Sequence, residues 1–522
     1  MTGPAPPGPA DAAARPGGAA GDGAGHLAYA SAAGRWAIAA AVLGSGITAL
    51  DSTVVGIALP PIARTFHTGL GPLQWVVTAY ALTLAAFLLV GGSLADRLGR
   101  RRVFSVGVAW FMVASVACGV APTAGALIAA RAVQGVGGAL LTPGSLAIIQ
   151  ASFRADDRSR AIGAWSGLGG LATAAGPLVG GYLIAVGSWR WVFFINVPVS
   201  LAVLAIAARH VPESRDPTAH GRTDVAGAAL AVAFLAGLTG GLIEGPVLGW
   251  SSPVVLACLA AAVVTAPSFL VVEHRRADPM LPLPLFKVRQ FSAANAVTFL
   301  VYAALGGALF LLPVELQEVA GYSPLASGLA LLPVTALMLV FSARSGRLSA
   351  RIGPRLQMGV GPVVAGGGLL LLVRATSPGS YLTQVLPAMV VFGAGLAITV
   401  APLTATALGA AASEHAGVAS AVNNVVARAG GLLAVALLPL VAGIAGSAAL
   451  SPAHLAAGFR TAVIVAGLAC AAGGLLAALT IRNPVAVGEG APDLACEVSC
   501  GLDAVPLRAA GAAPRSGPAG SG

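Results

Sequence analysis

The sequence predicts an all-α integral membrane protein with two six-helix bundles and two further helices between them. The chain is strongly apolar: 57% of its 522 residues are hydrophobic, 9% are charged, and its mean hydropathy is +0.87. Soluble globular proteins carry about 25% charged residues, because a soluble fold needs a polar surface. Two further observations support this prediction: the chain has a series of fourteen apolar runs, and one short motif occurs twice.

The apolar runs are each long enough to cross a bilayer, for which a helix needs about 20 residues. Charged or turn-rich breaks separate them, so each run is predicted to be one membrane-spanning helix. The predicted spans are 36–58, 73–94, 103–121, 124–150, 161–185, 191–209, 224–244, 253–272, 290–314, 324–343, 356–375, 381–408, 415–447 and 459–481. An even number of spans places both termini on one side of the membrane.

The basic residues between the spans predict the orientation. Of the 29 arginine and lysine residues, 23 fall in segments on the side of the N-terminus and four on the other side, while Arg131 and Arg428 lie inside spans. Because cytoplasmic loops are enriched in basic residues, both termini are predicted to be cytoplasmic. We therefore expect a multi-pass protein of the cell membrane.

The charge pattern and the cysteine count exclude several other classes of protein. The net charge is +10, but the basic residues form short clusters between apolar runs, which argues against a nucleic-acid partner. The cysteines and histidines show no metal-ligand spacing, so we expect neither a metal nor a cofactor, and an enzyme acting on lipids is disfavoured. Cys496 and Cys500 are predicted to be free thiols, with a redox or lipidation site as the alternative.

Segments rich in proline and glycine mark both ends of the predicted membrane domain. The tails 1–34 and 482–522 have the composition of disordered segments and are predicted to be cytoplasmic. Between them we expect an N-terminal six-helix bundle over 35–209, a linker with spans 7 and 8 over 210–288, and a C-terminal six-helix bundle over 289–481.

A short internal repeat supports two bundles of similar topology. Gly92–Arg101 follows span 2 and Gly346–Arg355 follows span 10, with glycine, leucine, arginine, glycine and the final arginine in common over an interval of 254 residues. Two six-helix groups related in this way are typical of transporters that work by alternating access. The alternative is a chance similarity between two loops rich in glycine and arginine.

Six segments between about Trp36 and Arg482 carry recognisable motifs. They are Leu50–Pro60, Gly92–Arg102, Arg131–Gly138, Gly176–Gly181, Trp189–Pro198 and Gly241–Trp250. The second of these resembles the signature loop of the major facilitator superfamily, and the others resemble its fourteen-helix drug:proton antiporter branch. The resemblance implies the major facilitator fold and the export of a small compound in exchange for protons.

Two ionisable residues inside predicted spans are the candidates for proton coupling. A charged carboxylate at the bilayer centre costs about 2.5–3.5 kcal/mol, so Asp51 in span 1 needs a partner or a cavity. Arg131 in span 4 cannot release its proton, which makes Asp51 its plausible partner, and the resemblance implies that both take part in proton transfer. Gln134 follows by one turn on the same helix face, as a cavity-lining or packing residue. The alternative for Asp51 is a packing hydrogen bond accepted from Ser52, Thr53 or another helix. The alternative for Arg131 is a structural ion pair or hydrogen bonds to backbone carbonyls.

Three further charged residues are candidates for the substrate cavity or for a secondary role in coupling. Glu244, near the end of span 7, is alternatively a solvated helix end. Glu315, after span 9, would favour a cationic substrate or be an interfacial charge. Arg428, midway along span 13, needs a partner in the C-terminal half or attracts anionic groups on substrates.

The signature loop is predicted to be a conformational gate. Its predicted gate residues are Gly92, Asp96, Arg97, Gly99 and Arg100. The glycines permit tight turns, and Asp96 is expected to pair with a basic residue or a helix N-terminus across the cytoplasmic face. The second copy has Ala350 at the equivalent position, so we expect only the first to latch. A loop that merely orients the helices is the alternative.

Small residues in span 5 form a motif that is associated with exporters in this superfamily. The residues are Gly176, Pro177, Gly180 and Gly181. Small side chains let membrane helices approach closely, so a plain packing interface predicts the same residues. In the next motif, Trp189 and Trp191 are predicted to be anchors at the membrane interface.

The sequence therefore predicts a proton-coupled exporter of drugs, antibiotics or other small amphipathic compounds, and not an enzyme. There is no GxxxxGK[ST] motif, so ATP hydrolysis is not expected to drive transport. A proton-coupled metabolite importer on the same fold is the alternative, while the lack of a sizeable soluble domain disfavours a receptor-like sensor. The expected partners are a small molecule, protons and the lipid bilayer, and one chain contains a complete pathway, which predicts function as a monomer.

Overall fold

The computed structural model describes residues 27–215, 224–276, 279, 281–375, 381–411, 416–446 and 451–483, all of which belong to one compact unit. Cys496 and Cys500 lie outside the described residues, as do most of the two predicted tails. The described residues begin at Leu27, inside the predicted N-terminal tail. Leu27 forms a parallel β-bridge with Phe153, and the first helix begins at Ala32 with Ser31 as its N-cap.

Sixteen α-helices contain most of the described residues. They are α1 (Ala32–Phe66), α2 (Leu70–Leu98), α3 (Arg100–Gly119), α4 (Ala124–Ser152), α5 (Ala155–Val186), α6 (Trp191–Phe194), α7 (Asn196–His210), α8 (Val225–Leu248), α9 (Pro253–Arg275), α10 (Arg289–Glu318), α11 (Pro324–Ala330), α12 (Leu332–Ile352), α13 (Pro354–Leu371), α14 (Tyr381–Gly409), α15 (Ala416–Val441) and α16 (Pro452–Thr480). Short 3-10 turns cover Leu283–Lys287 and Leu372–Arg374. Because α6 continues into α7 and α11 into α12, the described residues form fourteen helical segments able to cross a membrane. The predicted all-α membrane fold is confirmed.

Helix ends extend beyond the predicted apolar runs. Span 1 was expected to end at residue 58, but α1 continues through Pro60 and Pro61 to Phe66 and includes Arg64 in its last turn. Hydropathy reports only the apolar centre of a helix. A helix can continue into the interface with polar residues, and membrane helices tolerate proline when neighbouring groups satisfy the freed carbonyls.

The helices pack as two bundles with a helical hairpin beside them. Helices α1–α7 pack among themselves, as do α10–α16. Helices α8 and α9 pack mainly against each other, and α8 also contacts α2 of the first bundle and α15 of the second. The hairpin thus lies along the boundary of the two bundles.

The two copies of the sequence repeat have the same local structure. Gly99 (φ +112°) and Gly353 (φ +82°) both lie in the left-handed region that favours glycine, at the turn between two consecutive helices. A side chain from the end of each bundle covers the turn. Glu213 Oε1 accepts from the backbone N–H two residues after the first glycine (3.1 Å), and Asn483 Oδ1 accepts from the equivalent N–H of the second (3.0 Å).

Hydrogen bonds join the two bundles near one end of the molecule. We call this the opposite end, because it is the end away from the signature loop at Gly99. There, Gln74 Nε2 of α2 donates to the carbonyl of Val435 in α15 (2.7 Å). Gln317 Nε2 of α10 donates to the carbonyl of Ile57 in α1 (3.1 Å). These side chain–backbone bonds hold the bundles together at the opposite end.

Helices α5 and α12 separate towards the other end, the signature-loop end. Near the opposite end, Gly181 is so close to Leu325 of α11 that an added Cβ would lie 2.8 Å from its Cα. Midway along, a Cβ on Gly170 would meet Leu339 at 3.8 Å. A Cβ on Gly163 or Gly167 would meet no described atom within 4 Å. The space between the bundles therefore opens towards the signature-loop end.

Candidate functional site

A buried polar cluster lies inside the first bundle, between α1 and α4. Arg131 Nη1 lies 2.5 Å from Asp51 Oδ2 and donates to Gln134 Oε1 (2.7 Å). Gln134 Nε2 in turn donates to Asp51 Oδ1 (3.0 Å). Three sequence-predicted residues are thus in mutual contact. Ser52 donates instead to the carbonyl of Thr48, so it does not supply the packing bond considered for the carboxylate.

Two further polar residues, one on α7 and one on α3, extend this cluster by hydrogen bonds. Asn196 Nδ2 donates to Asp51 Oδ1 (3.3 Å) and to Ser115 Oγ (3.0 Å). Ser115 Oγ donates to the carbonyl of Phe193 (2.9 Å). Sequence reasoning missed both residues as site residues. Asn196 lies within the Trp189–Pro198 motif, which is the signal that pointed nearest to it.

Arg131 has two further contacts that fix its guanidinium group. Its Nε donates to the carbonyl of Val76 in α2 (3.1 Å). Its Cζ lies 4.1 Å from the ring centroid of Tyr80, within the range of a cation–π interaction. Tyr80 was also missed by sequence reasoning, because a tyrosine in an apolar run reads as an ordinary core residue.

Glycines in α4 allow the helices to approach closely enough for these contacts. A Cβ on Gly138 would lie 2.8 Å from the Leu84 side chain of α2, and a Cβ on Gly135 would overlap Thr83 and the carbonyl of Tyr80. Such overlap cannot be relieved where the neighbour is backbone. The Arg131–Gly138 motif therefore positions the charged residue and also permits the packing.

The charge pair is almost completely shielded from solvent. The side chains of Arg131 and Asp51 are 1% and 0% exposed. Attraction between buried charges offsets their desolvation only when further hydrogen bonds satisfy the remaining donors and acceptors. Gln134, Asn196 and the Val76 carbonyl supply such bonds here.

A central cavity of about 250 Å³ lies between the two bundles, next to the cluster. Arg131 forms part of its wall, whereas Asp51 lies behind it. The other lining residues come from both bundles and are Ser52, Val55, Gly56, Leu59, Val77, Thr78, Tyr80, Ala81, Gly306, Leu309, Phe310, Arg428, Gly431, Leu432 and Val435. A change in the charge of the ion pair therefore changes the electrostatic potential at the wall of the cavity.

Arg428 is the second arginine of this wall and comes from α15 of the second bundle. It is half-buried, and its Nε donates to Asn424 Oδ1 one turn earlier (2.9 Å). It also lines a neighbouring cavity of about 320 Å³. Arg428 therefore faces space between the bundles from the C-terminal side.

The two predicted glutamates are outside the central cavity. Glu244 Oε1 accepts a hydrogen bond from Trp75 Nε1 (2.7 Å), which joins α8 to α2. Glu315 is only 2% exposed and lies in the last turn of α10, near the opposite end of the molecule. Neither is among the residues that line the central cavity, so neither places a carboxylate in its wall.

Asp96 of the signature loop pairs with a neighbouring arginine. Asp96 Oδ1 lies 2.9 Å from Arg100 Nη2 and 3.0 Å from its Nε, one turn away in the same loop. The bundles are apart at the signature-loop end in this conformation, so the expected latch of a closed conformation stays a prediction. Of the other predicted gate residues, Gly92 faces Pro143 of α4 and Arg97 is half-buried in the last turn of α2.

The span 5 motif forms contacts with both bundles. A Cβ on Gly176 would overlap Thr53, and one on Gly180 would lie 2.7 Å from Val54, both in α1. The carbonyl of Pro177 faces Gly328 of α11, beside the contact made by Gly181. The motif therefore lies at the contact between the bundles near the opposite end.

One of the two predicted interfacial tryptophans is a core residue. Trp189 is 3% exposed, and its Nε1 donates to Thr65 Oγ1 (3.0 Å). Trp191 is 53% exposed, as expected for an anchor. The first prediction is wrong because the end of α1 extends far enough to cover Trp189.

Comparison with known proteins identifies the family. The family described as the Major Facilitator Superfamily matches residues 41–435. The chain belongs to the major facilitator superfamily. Within it, the chain is 37% identical over 381 residues to the multidrug resistance protein Stp of Mycobacterium tuberculosis strain H37Rv, covering 73% of this chain and 70% of that protein.

Two further relatives have names that refer to antibiotics. The chain is 37% identical over 401 residues to the tetracenomycin C resistance and export protein of Streptomyces glaucescens, covering 76% of this chain and 73% of that protein. It is 37% identical over 393 residues to a methylenomycin A resistance protein of Bacillus subtilis, covering 75% and 84%. The chain is therefore a multi-pass membrane transporter of the drug-efflux branch, and not an enzyme.

Solved structures share the fold at low sequence identity. A bacterial homologue of the human lysosomal transporter Spinster, solved in an inward-facing and unoccupied conformation, matches with a TM-score of 0.61 and 18% identity over 87% of this chain and all of that chain. A D-xylose–proton symporter matches with a TM-score of 0.60 and 16% identity over 86% and 98%. The major facilitator fold is confirmed, with two six-helix bundles and two inserted helices.

Proposed function

We propose that the protein is a proton-coupled antiporter that exports drugs, antibiotics or other small amphipathic compounds by alternating access. The observation that carries this proposal is the Asp51–Arg131 ion pair, which is buried in the first bundle while its arginine lines the central cavity. A buried carboxyl group beside a transport cavity can bind and release a proton as its surroundings change.

In the proposed mechanism, the proton binds to Asp51, because the guanidinium of Arg131 cannot give up its own. Protonation removes the charge that holds Arg131 Nη1, while Gln134 and Asn196 can still donate to the other carboxyl oxygen. Arg131 then keeps its bond to the Val76 carbonyl of α2 and its contact with Tyr80, but loses its counter-charge. The unpaired arginine changes the electrostatics of a cavity that both bundles share.

Alternating access follows from a rocking movement between the bundles. The observed conformation is closed at the opposite end by the Gln74 and Gln317 bonds and open at the signature-loop end. If basic loops face the cytoplasm, the open end is cytoplasmic, and this is the conformation that takes up substrate from the cell. Closing that end would bring Asp96 within reach of a partner other than Arg100, and this is the gating role we propose for it.

Export is the favoured direction for two reasons. The relatives at 36–37% identity are named for resistance or export, and a toxic compound is removed by efflux. The Gly176–Gly181 motif, which lies where the bundles meet at the opposite end, resembles one associated with exporters in this superfamily. A proton-coupled importer is the weaker alternative, since the likeness to a symporter is one of fold alone.

The organisation of the chain in the membrane is part of the proposal. We infer bundles over 35–209 and 289–481, a linker over 210–288, and both termini on the cytoplasmic side of the cell membrane. We propose that a monomer is sufficient for transport, because one chain holds both bundles and the ion pair beside the cavity between them.

The test is substrate-triggered proton movement in proteoliposomes that contain a pH-sensitive dye and an imposed pH gradient. Lipophilic cations, neutral antibiotics and anionic metabolites are added one at a time to wild type and to Asp51→Asn. The expected result is proton flux with some compounds in wild type and none in Asp51→Asn.

The matched control is Asp156→Asn, which removes an exposed carboxylate at the start of α5, away from the cavity. It should transport protons like wild type. Equal flux in Asp51→Asn and wild type would contradict the proposal, and so would the absence of flux with every compound in folded protein.

A further inference from the structure

Arg428 lies at the junction of two cavities in the centre of the molecule. It lines the central cavity of about 250 Å³ and the neighbouring cavity of about 320 Å³. The second cavity has a polar wall, formed with Arg428 by Tyr302, Thr404, Ser420, Asn423, Asn424 and Ala427. A compound that enters between the bundles therefore reaches this guanidinium from either cavity.

The positive charge of Arg428 is not balanced by the residues around it. Among the described residues, no aspartate or glutamate lies within ion-pair distance of it, and its hydrogen bond to Asn424 uses Nε. The Nη groups are the strongest donors left at this position. A charged residue inside a membrane-spanning helix is costly, and its usual explanation is a functional partner.

The other charges of the cavity do not favour a cation. Arg131 is already neutralised by Asp51, and that carboxylate is 0% exposed, behind its partner. Glu244 and Glu315 lie outside the lining of the central cavity. A cation in the cavity would therefore meet the unbalanced guanidinium group of Arg428 and no accessible carboxylate among the described residues.

The remaining wall is largely apolar. Val55, Leu59, Leu309, Phe310, Leu432 and Val435 line the central cavity. These side chains suit the ring system of an amphipathic compound, whereas Arg428 suits one acidic oxygen group, because guanidinium donates two parallel bonds to a carboxylate.

We propose that the exported compounds are organic acids with an apolar ring system, whose carboxylate or phenolate oxygen binds Arg428. This inference rests on the proposed function and names its substrate class. The acid is held on the C-terminal side of the cavity and the proton at Asp51 on the N-terminal side. Proton and substrate are then coupled through the movement of the bundles and not by competition for one carboxylate.

The test compares three probes that share one ring system: 1-naphthoate, 1-naphthamide and 1-naphthylmethylammonium. Equilibrium dialysis against purified wild-type protein measures their dissociation constants without any variant. A charge-assisted bidentate bond predicts that the acid binds at least about tenfold more tightly than the amide, with the ammonium compound weakest. Tighter binding of the ammonium compound, or no binding of 1-naphthoate, would overturn the proposal.

Variants then assign the preference to one residue. Arg428→Gln should weaken 1-naphthoate binding about tenfold, to the level of the amide, and leave the amide unchanged. Arg428→Lys should keep only part of the preference, because an ammonium group keeps the charge but not the two parallel donors. The control Arg344→Gln removes an exposed arginine of α12 that does not line the central cavity. An unchanged preference in Arg428→Gln would overturn the assignment. Proton flux is measured separately, so acid binding without flux would count against antiport and not against this site.

Discussion

Removing Asp51 should destabilise the protein more than removing its partner Arg131. The perturbations are Asp51→Leu, Arg131→Leu and the double variant, which replace the charges by apolar side chains. The two charges are not equivalent, because a carboxyl group without its partner can bind a proton and become neutral, whereas a guanidinium remains charged.

The contacts give the expected magnitudes. Asp51→Leu leaves Arg131 1% exposed without a counter-charge and removes the acceptor from Gln134 Nε2. Breaking a buried pair in this way costs about 3–5 kcal/mol. Arg131→Leu leaves a carboxyl that still accepts from Gln134 and Asn196, so we expect a loss of about 1–3 kcal/mol. The double variant should be no less stable than Asp51→Leu alone, since it leaves no buried charge.

The assay is thermal unfolding of the purified variants in one detergent, followed by tryptophan fluorescence. We expect the apparent Tm to be highest in wild type, lower in Arg131→Leu and lower still in Asp51→Leu. The double variant should lose less than the sum of the two single losses. Equal losses that simply add in the double variant would refute the reasoning, because non-interacting residues give additive effects.

Two further predictions concern the gate and the packing of the bundles. Gly328→Ala places a methyl group against the carbonyl of Pro177 and should destabilise the observed conformation by about 1–3 kcal/mol. The distance between spin labels placed on the two bundles at the opposite end should then increase. Gly367→Ala, whose added methyl group meets no described atom within 4 Å, should leave that distance unchanged. Glu213→Ala removes the acceptor for the N–H of Arg101 and should lower the free energy of unfolding by about 1–2 kcal/mol in a thermal unfolding assay. Glu213→Gln keeps an acceptor and should lose less; an equal loss in both variants would contradict this role.

The fold was largely predictable because a bilayer imposes a simple length requirement on each helix. The fourteen apolar runs correspond to fourteen described helical segments that are long enough to cross a membrane. The two copies of the repeated loop form equivalent turns at a glycine. The positions of the helix ends were not predictable to the same degree. The end of α1 near Arg64 depends on its contacts with other helices, and these contacts also bury Trp189.

The candidate site was predictable where a residue is costly in a membrane. Asp51 and Arg131 were found because an unpaired charge in an apolar run requires an explanation. Asn196, Ser115 and Tyr80 carry no charge, and such residues often bond to their own helix or pack in the core, so their roles depend on tertiary contacts. The pairing of Asp96 with Arg100, one turn away in the signature loop, was not predicted either.

The most direct test of Asp51 as the coupling residue is a comparison of two transport modes in the same proteoliposomes. One experiment measures uphill accumulation of a transported compound driven by a pH gradient, and the other measures exchange of labelled for unlabelled compound without a gradient. Asp51→Asn should lose the accumulation but retain the exchange, because binding and bundle movement remain while the proton site is gone. Accumulation at the wild-type rate in Asp51→Asn would show that the proton is carried elsewhere.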